Sequence, residues 1–202
     1  MSDVPVLRDG PLSGSRIAVL VESDFFEPEV HYYHRRFAEE GASVDFLTRL
    51  WGQQSLTFSG HEWRAPFTTD KSLEGVDDET LRSYAAVIVP SGMVADRLRY
   101  TEDVRRLAPA VEFVRRAFGE PGVLKGVICH GSWLLASIPE TIRGRKVTCH
   151  NNLVADVRNM GAEYVDQDVV VDGDDLVTGR TGMHAHLFAR TIIDTLIDRR
   201  LS

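Results

Sequence analysis

Apolar residues along this chain fall into short continuous runs, separated by stretches in which they recur every three or four positions. The runs are Arg16–Val21, Val44–Leu47, Ala85–Val89 and Val123–Ile128. Continuous apolar strands, as opposed to alternating ones, are covered on both faces, as in parallel sheets. Helical spacing fills the intervals. A helix over Glu29–Glu40 stops at Gly41. Between Thr101 and Phe118, the residues Val104, Leu107, Val111, Val114 and Phe118 predict one helix with a single buried stripe. Trp51–Asp70 is irregular, with room for a hairpin. After Val123–Ile128 the pattern predicts a helix to about Ser137, a short strand Lys146–Thr148, and a helix Asn152–Met160 ended by Gly161. Val169–Val171 and Leu176–Thr178 flank Asp172-Gly173-Asp174-Asp175, a hairpin turn signal. Leu187, Ile192, Ile193, Leu196 and Ile197 predict a last amphipathic helix. Alternating β and α elements imply an α/β fold, a doubly wound, mainly parallel sheet with helices on both faces. Residues 1–15 read as an N-terminal tail before a single domain over 16–202.

The chain has 202 residues, 43% of them hydrophobic, enough for one sizeable core. Its net charge is −7, and the pairs Arg35-Arg36, Arg105-Arg106, Arg115-Arg116 and Arg199-Arg200 sit beside acids in helical patterns. That balance argues against nucleic acid as a partner. Two cysteines, Cys129 and Cys149, make no disulfide framework and suit a reducing compartment. Met1–Ser15 holds no apolar signal core and no run reaches the length of a bilayer, so the expected place is the cytoplasm, with no membrane partner. His184 and His186 in GMHAH stand two residues apart, unlike the i, i+4 pair of a helical zinc site, so no metal or other cofactor is expected.

The chemistry centres on Ile128-Cys129-His130-Gly131, a strand running into a tight turn and a helix with a cysteine at the apex. A helix N-terminus behind the sulfur favours thiolate, the reactive form. In doubly wound sheets the site lies beyond the carboxyl ends of the strands. Four segments are expected to leave that edge: Glu22–Glu29, Pro90–Arg97, Cys129-His130 and Cys149-His150, the last after a fifth sheet strand. Glu22, Asp24 and Glu27 read as solvated acids at a helix start. Glu29 lies inside the first turn, can point back at the sheet edge, and would share a proton with Cys129. Gly92 is either a plain turn glycine or the donor of a free N–H to an oxyanion. Asp96, taken alone, reads as a solvated helix acid.

The runs RIAVLVESDFFEPEV, VIVPSG, GVICHGSWLLAS and GRKVTCHNNLVADVRNMGAEYVDQDVVVDGDDLVTGR together resemble the DJ/ThiJ/PfpI superfamily, most closely its PfpI-type intracellular protease and amidase branch. ICHG and EYVDQDVVVDGDDLVT are the most specific parts. The resemblance implies a flavodoxin-like fold related to class I glutamine amidotransferase domains. It also implies a nucleophilic Cys129 beside a Glu29 carboxyl, and His130 as the general base. Gly92 matches the second glycine of the oxyanion loop, and the N–H of His130 is the other oxyanion donor. Asp96 matches an acid that reaches the histidine from a neighbouring subunit, which implies a homodimer or higher homo-oligomer. Three departures stand out. Ser91 replaces the first loop glycine, His150 adds a second candidate base, and GMHAHLF replaces an acid- and proline-containing run.

The expected function is a cysteine-dependent enzyme, a hydrolase or a glyoxalase- or deglycase-type enzyme, acting on small carbonyl or amide compounds or on peptides. The alternative is a non-catalytic oxidative-stress sensor or holdase chaperone that uses the same oxidisable thiol.

Overall fold

The protein, described here from a computed structural model, is laid out over residues 4–201. Its first half comprises β1 (Arg16–Leu20), α1 (Glu27–Glu39), β2 (Ser43–Thr48), the hairpin β3 (Leu56–Ser59) and β4 (Pro66–Thr69), β5 (Lys71–Ser72) and α2 (Asp78–Arg82). Next come β6 (Tyr84–Val89), α3 (Val94–Leu98), α4 (Pro109–Phe118) and β7 (Leu124–Ile128). A 3-10 helix over Cys129–Ser137 leads to β8 (Lys146–Val147), α5 (Val154–Asn159) and β9 (Glu163–Tyr164). The hairpin β10 (Val169–Asp172) and β11 (Leu176–Gly179) precedes α6 (Ala185–Leu201).

Seven strands form the central sheet in the order β10-β11-β7-β6-β1-β2-β5. Every pairing is parallel except β10 with β11. The chain leaves β1 toward β2 and later returns to β6 on its other flank. That reversal opens a crevice at the carboxyl ends of β1 and β6, where ligands enter such sheets. The continuous apolar runs have the burial they imply, since Ile17, Ala18, Val19 and Leu20 are all fully buried. Both faces of β7 are covered. Gly126 lies under Phe188 and Ile192 of α6, while the Lys125 ammonium lies 5.6 Å from the Phe118 ring of α4. Trp51–Asp70 does contain a hairpin, β3 with β4.

Two expectations need correction. Thr101–Phe118 is not one helix, because Pro109 lacks an N–H and its ring would strike the carbonyl four residues back. It also holds Ala108 extended (ψ 147), so α4 starts at Pro109 and leaves Val104 91% exposed. Lys146–Val147 is not a fifth strand of the main sheet either. It pairs with β9 in a separate ribbon, and the wholly buried β11 takes the place beside β7. The Thr148 N–H still reaches Thr178 Oγ1 of β11 at 2.9 Å, which keeps Cys149 and His150 near that edge. Before β1, residues 4–15 form no strand or helix. Leu12 is nonetheless buried, and the N–H groups of Leu7 and Leu12 donate to the Ala38 and Glu40 carbonyls. Met1–Asp3 and Ser202 lie outside the described residues. No helix among the described residues is long and apolar enough to cross a membrane.

Candidate active site

The end of β7 sets the centre of the site. Ile128 is extended, and Cys129 then turns to φ +59, in the left-handed region. That conformation costs a residue with a side chain roughly 1–3 kcal/mol and is found where function demands it. Here it aims the thiol into a cavity of about 570 Å³. A Cβ on Gly131 would stand 2.6 Å from the Val89 carbonyl oxygen, so only glycine lets the elbow lie this close to the end of β6. Gly92 also needs its identity: its φ is +78, and a Cβ there would stand 2.5 Å from the Asp24 carbonyl.

Cys129, His130 and His150 line the cavity together with Ser91, Gly92 and Met93 from the loop after β6. Thr181, Gly182 and Met183 contribute from the loop after β11. Phe26 and Pro28 come from the start of α1, and His61, Glu62 and Trp63 from the β3–β4 loop. The wall is therefore largely apolar around a polar floor.

His130 Nδ1 stands 3.3 Å from Cys129 Sγ. The His130 ring lies 4.5 Å from that of His150 and meets Trp133 edge-on at 4.9 Å. Burial, and then the neighbouring His150, hold His130 below the ordinary imidazole value, which leaves it neutral and able to take a proton at pH 7. His150 accepts the Asn152 N–H at Nδ1, 3.2 Å away, so its neutral ring carries hydrogen on Nε2.

Glu29, wholly buried on α1, accepts the Ser91 N–H at Oε2, 3.0 Å away, and the Ser91 hydroxyl at the same oxygen. Oε1 and the nearby Tyr33 hydroxyl are buried without a hydrogen-bond partner. Burial lifts the Glu29 carboxyl to about 7, against the opposing pull of the Ser91 donors. Burial and then the Glu29 charge push the Cys129 thiol up to about 11, although the N–H groups of Gly182, His130 and Gly92 favour its thiolate. The expectation that a helix terminus secures the thiolate thus does not hold in the resting site. The helix is a 3-10 helix that begins at Cys129 itself, and its end does not outweigh burial beside a carboxylate. A thiolate here requires Glu29 to be neutral or the proton to pass to His130.

Glu27 is not a solvated acid. It is fully buried and accepts the Glu62 and Trp63 N–H groups at 2.8 Å each, which anchors the β3–β4 loop over the cavity. Asp24 is likewise engaged, by Arg64 at 2.8 Å and by Arg97. Asp96 is exposed on α3 and does not line the cavity of its own chain. Cys149 is fully buried and does not line the cavity; burial pushes its thiol up to about 12. Sequence reasoning did not anticipate Gly182, Thr181 or the Glu27 anchor. Ser91 did carry a signal, since it stands where a glycine is usual.

Residues 15–195 match the model of the DJ-1/PfpI family. The chain belongs to the DJ-1/PfpI family. It is 37% identical over 166 residues to protein/nucleic acid deglycase 2 of Escherichia coli (strain K12), across 82% of this chain and 88% of that protein. It is 30% identical over 181 residues to deglycase PH1704 of Pyrococcus horikoshii, across 90% of this chain and 99% of that one. The solved structure of Schizosaccharomyces pombe DJ-1 superposes with a TM-score of 0.71 at 18% identity, over 93% of this chain and 98% of that chain, and is similar in fold. The flavodoxin-like architecture expected of a DJ-1/PfpI protein is the one found.

Proposed function

We propose that this DJ-1/PfpI protein is a cysteine-dependent enzyme of the glyoxalase or deglycase type, acting on small carbonyl compounds and on their adducts with amines and thiols. The observation that carries this reading is Cys129 on a left-handed elbow with His130 Nδ1 at 3.3 Å, at the floor of a cavity. Two relatives named deglycases support it. Cys129 adds to the carbonyl carbon while its proton passes to His130, and the N–H groups of Gly92 and His130 take the developing oxyanion. Glu29, neutral for part of its time, lowers the barrier to thiolate and can carry a proton on the substrate side. His150, protonated on Nε2, acts as a donor and not as a second base. No cofactor is needed for these steps. Peptide or amide hydrolysis at the same thiol is the second outcome to be tested.

Asp96 enters only through assembly. In a homo-oligomer that brings α3 of one protomer to the cavity of the next, it would orient His130 as the PfpI-type resemblance implies. The place of work in this reading is the cytoplasm.

The deciding experiment supplies methylglyoxal, a methylglyoxal adduct of N-acetylarginine, and a fluorogenic peptide. Lactate should form from the first two and cease in Cys129→Ser. Peptide cleavage alone would make the protein a protease. Peroxide oxidation of Cys129 with no turnover on any substrate would make it a sensor. Sedimentation of a fully active monomer would remove Asp96 from the site.

A further inference from the structure

The GMHAH run leaves one histidine placed for chemistry. His184 Nδ1 lies 2.9 Å from the Thr181 hydroxyl oxygen, and its Nε2 lies 3.5 Å from Asp168 Oδ1. Thr181 lines the same cavity as Cys129, next to Gly182, whose N–H faces the Cys129 sulfur. The three residues come from the strand-flanking loops of β10, β11 and the start of α6, whereas His130 and His150 follow β7 and β8. Arg180 Nε lies 3.2 Å from the same Asp168 oxygen. With a carboxylate facing Nε2, the favoured neutral tautomer keeps hydrogen on Nε2 and leaves Nδ1 as an acceptor. The Thr181 hydroxyl then donates to Nδ1, and its lone pairs remain for a group in the cavity.

We propose that Thr181, His184 and Asp168 form a second proton relay at the cavity wall, with Thr181 as a further catalytic residue and His184 and Asp168 as its positioning residues. The proposal rests on the cysteine-enzyme reading above and assigns a residue to its hydrolytic half. His130 sits against the sulfur and takes the thiol proton, and the relay gives water that attacks a Cys129 thioester an acceptor of its own. The adduct attacked is the Cys129 thioester, reached from the hemithioacetal when its C–H hydrogen moves to the neighbouring carbonyl carbon, an internal redox step that needs no outside oxidant. A C–O bond then forms between water and the thioester carbon as its C=O π bond breaks. One water O–H bond breaks as its proton moves to Thr181 Oγ1. The Thr181 proton moves to His184 Nδ1, giving an imidazolium opposite the Asp168 carboxylate. The charge gained by the adduct oxygen balances that on the imidazolium. Collapse of the tetrahedral species breaks the C–S bond, and the proton returns by the same route to the departing thiolate.

The test compares Thr181→Val, Thr181→Ser and His184→Gln with the wild-type protein. Turnover of the methylglyoxal adduct, its solvent deuterium isotope effect and the alkylation rate of Cys129 are measured, together with the ¹⁵N spectrum of the His184 ring. Thr181→Val should lose roughly 100-fold in kcat with KM held within about twofold, as expected when general acid–base help is removed. Its isotope effect should fall, its Cys129 alkylation should match wild type, and Thr181→Ser should recover most of the loss. The His184 spectrum should show hydrogen on Nε2 and an Nδ1 signal that moves in Thr181→Val. Unchanged kcat in Thr181→Val, or equal loss in Thr181→Ser, overturns the relay. If the wild-type protein has no turnover, the enzyme reading has failed. The relay is then judged by the spectrum alone, and an Nδ1-protonated ring or a signal indifferent to Thr181→Val overturns it.

Discussion

Both hydrogen bonds that Ser91 offers Glu29 end on one carboxyl oxygen, Oε2, and leave Oε1 buried without a partner. Donors on Oε2 favour the carboxylate, so a proton on Glu29 resides on Oε1. Ser91→Ala removes the hydroxyl donor and keeps the N–H. The Glu29 carboxyl then rises beyond about 7, and more of it is neutral at pH 7. Less negative charge faces the sulfur. Alkylation of Cys129 by iodoacetamide at pH 7, followed by mass spectrometry, should accelerate roughly threefold to tenfold. A slower rate would mean that Ser91 orients the carboxyl instead of charging it.

The same burial gives Glu29 a signature in stability. Its folded-state pKa of about 7 lies above the ordinary 4.5, so the folded protein holds a proton that the unfolded chain releases. Stability is therefore lost as pH rises from 4.5 through 7, by about 3 kcal/mol for a fully buried group. Glu29→Gln keeps the shape and removes the titration. Urea unfolding should show the variant gaining on the wild-type protein at pH 8, with no comparable gain at pH 4.5. An equal difference at both pH values would place the cost in packing and not in charge.

Much of this arrangement was legible in the sequence because apolar runs report burial directly. Ile17, Ala18, Val19, Leu20 and Val21 of RIAVLV are all buried, and the carboxyl edge of those strands gathers Gly92, Cys129, His130 and His150 around one cavity, with Glu29 bonded to Ser91 beside it. What escaped depends on single backbone events or on partners far along the chain. Pro109 stops a helix that the spacing of Val104 and Leu107 would extend. Nothing in SWLLAS separates a 3-10 helix from an α-helix. Glu27 has the sequence context of a surface acid, and only the fold delivers the N–H groups of Glu62 and Trp63 to it. Thr181 and Gly182 reach the cavity by way of β11, which pairs with β7, an order across the sheet that apolar runs do not report.

His130 and His150 touch at 4.5 Å between ring centroids and are not equivalent. His130 faces the sulfur with Nδ1, whereas the Nδ1 of His150 is already taken by the Asn152 N–H. His130→Ala should lower kcat/KM by roughly 100-fold or more, the usual worth of a general base, and keep the backbone N–H at the site. His150→Ala should cost about tenfold or less. It should also raise the acidic limb of the pH profile, because burial and then His150 hold His130 low and the second influence is gone. Equal, negligible losses in both variants would leave neither histidine as the base.

The last prediction concerns the strap over the cavity. Glu27 holds the β3–β4 loop by two 2.8 Å hydrogen bonds from the Glu62 and Trp63 N–H groups. Burial raises its carboxyl, but the N–H groups of Glu62, Glu27, Trp63 and Ala65 outweigh burial and hold it below the ordinary carboxylate value. A carboxylate depressed in this way stabilises the fold above pH 4.5, and that contribution fades as pH falls through the folded-state value. Glu27→Gln retains one acceptor but turns an amide NH₂ toward the other N–H, leaving a buried donor unmet at a cost of about 1–3 kcal/mol. Trp63 still has His31 at 6.2 Å between parallel rings, so the loop is loosened and not released. Because His61 and Trp63 line the cavity while the Cys129–His130 pair carries the chemistry, the loss should appear in binding. KM should rise several-fold while kcat changes little, since contacts equal in ground and transition states act on KM alone. Trypsin cleavage after Arg64 should quicken in parallel. If the melting temperature falls while KM and cleavage at Arg64 stay at wild-type values, Glu27 serves the core and the strap has another anchor.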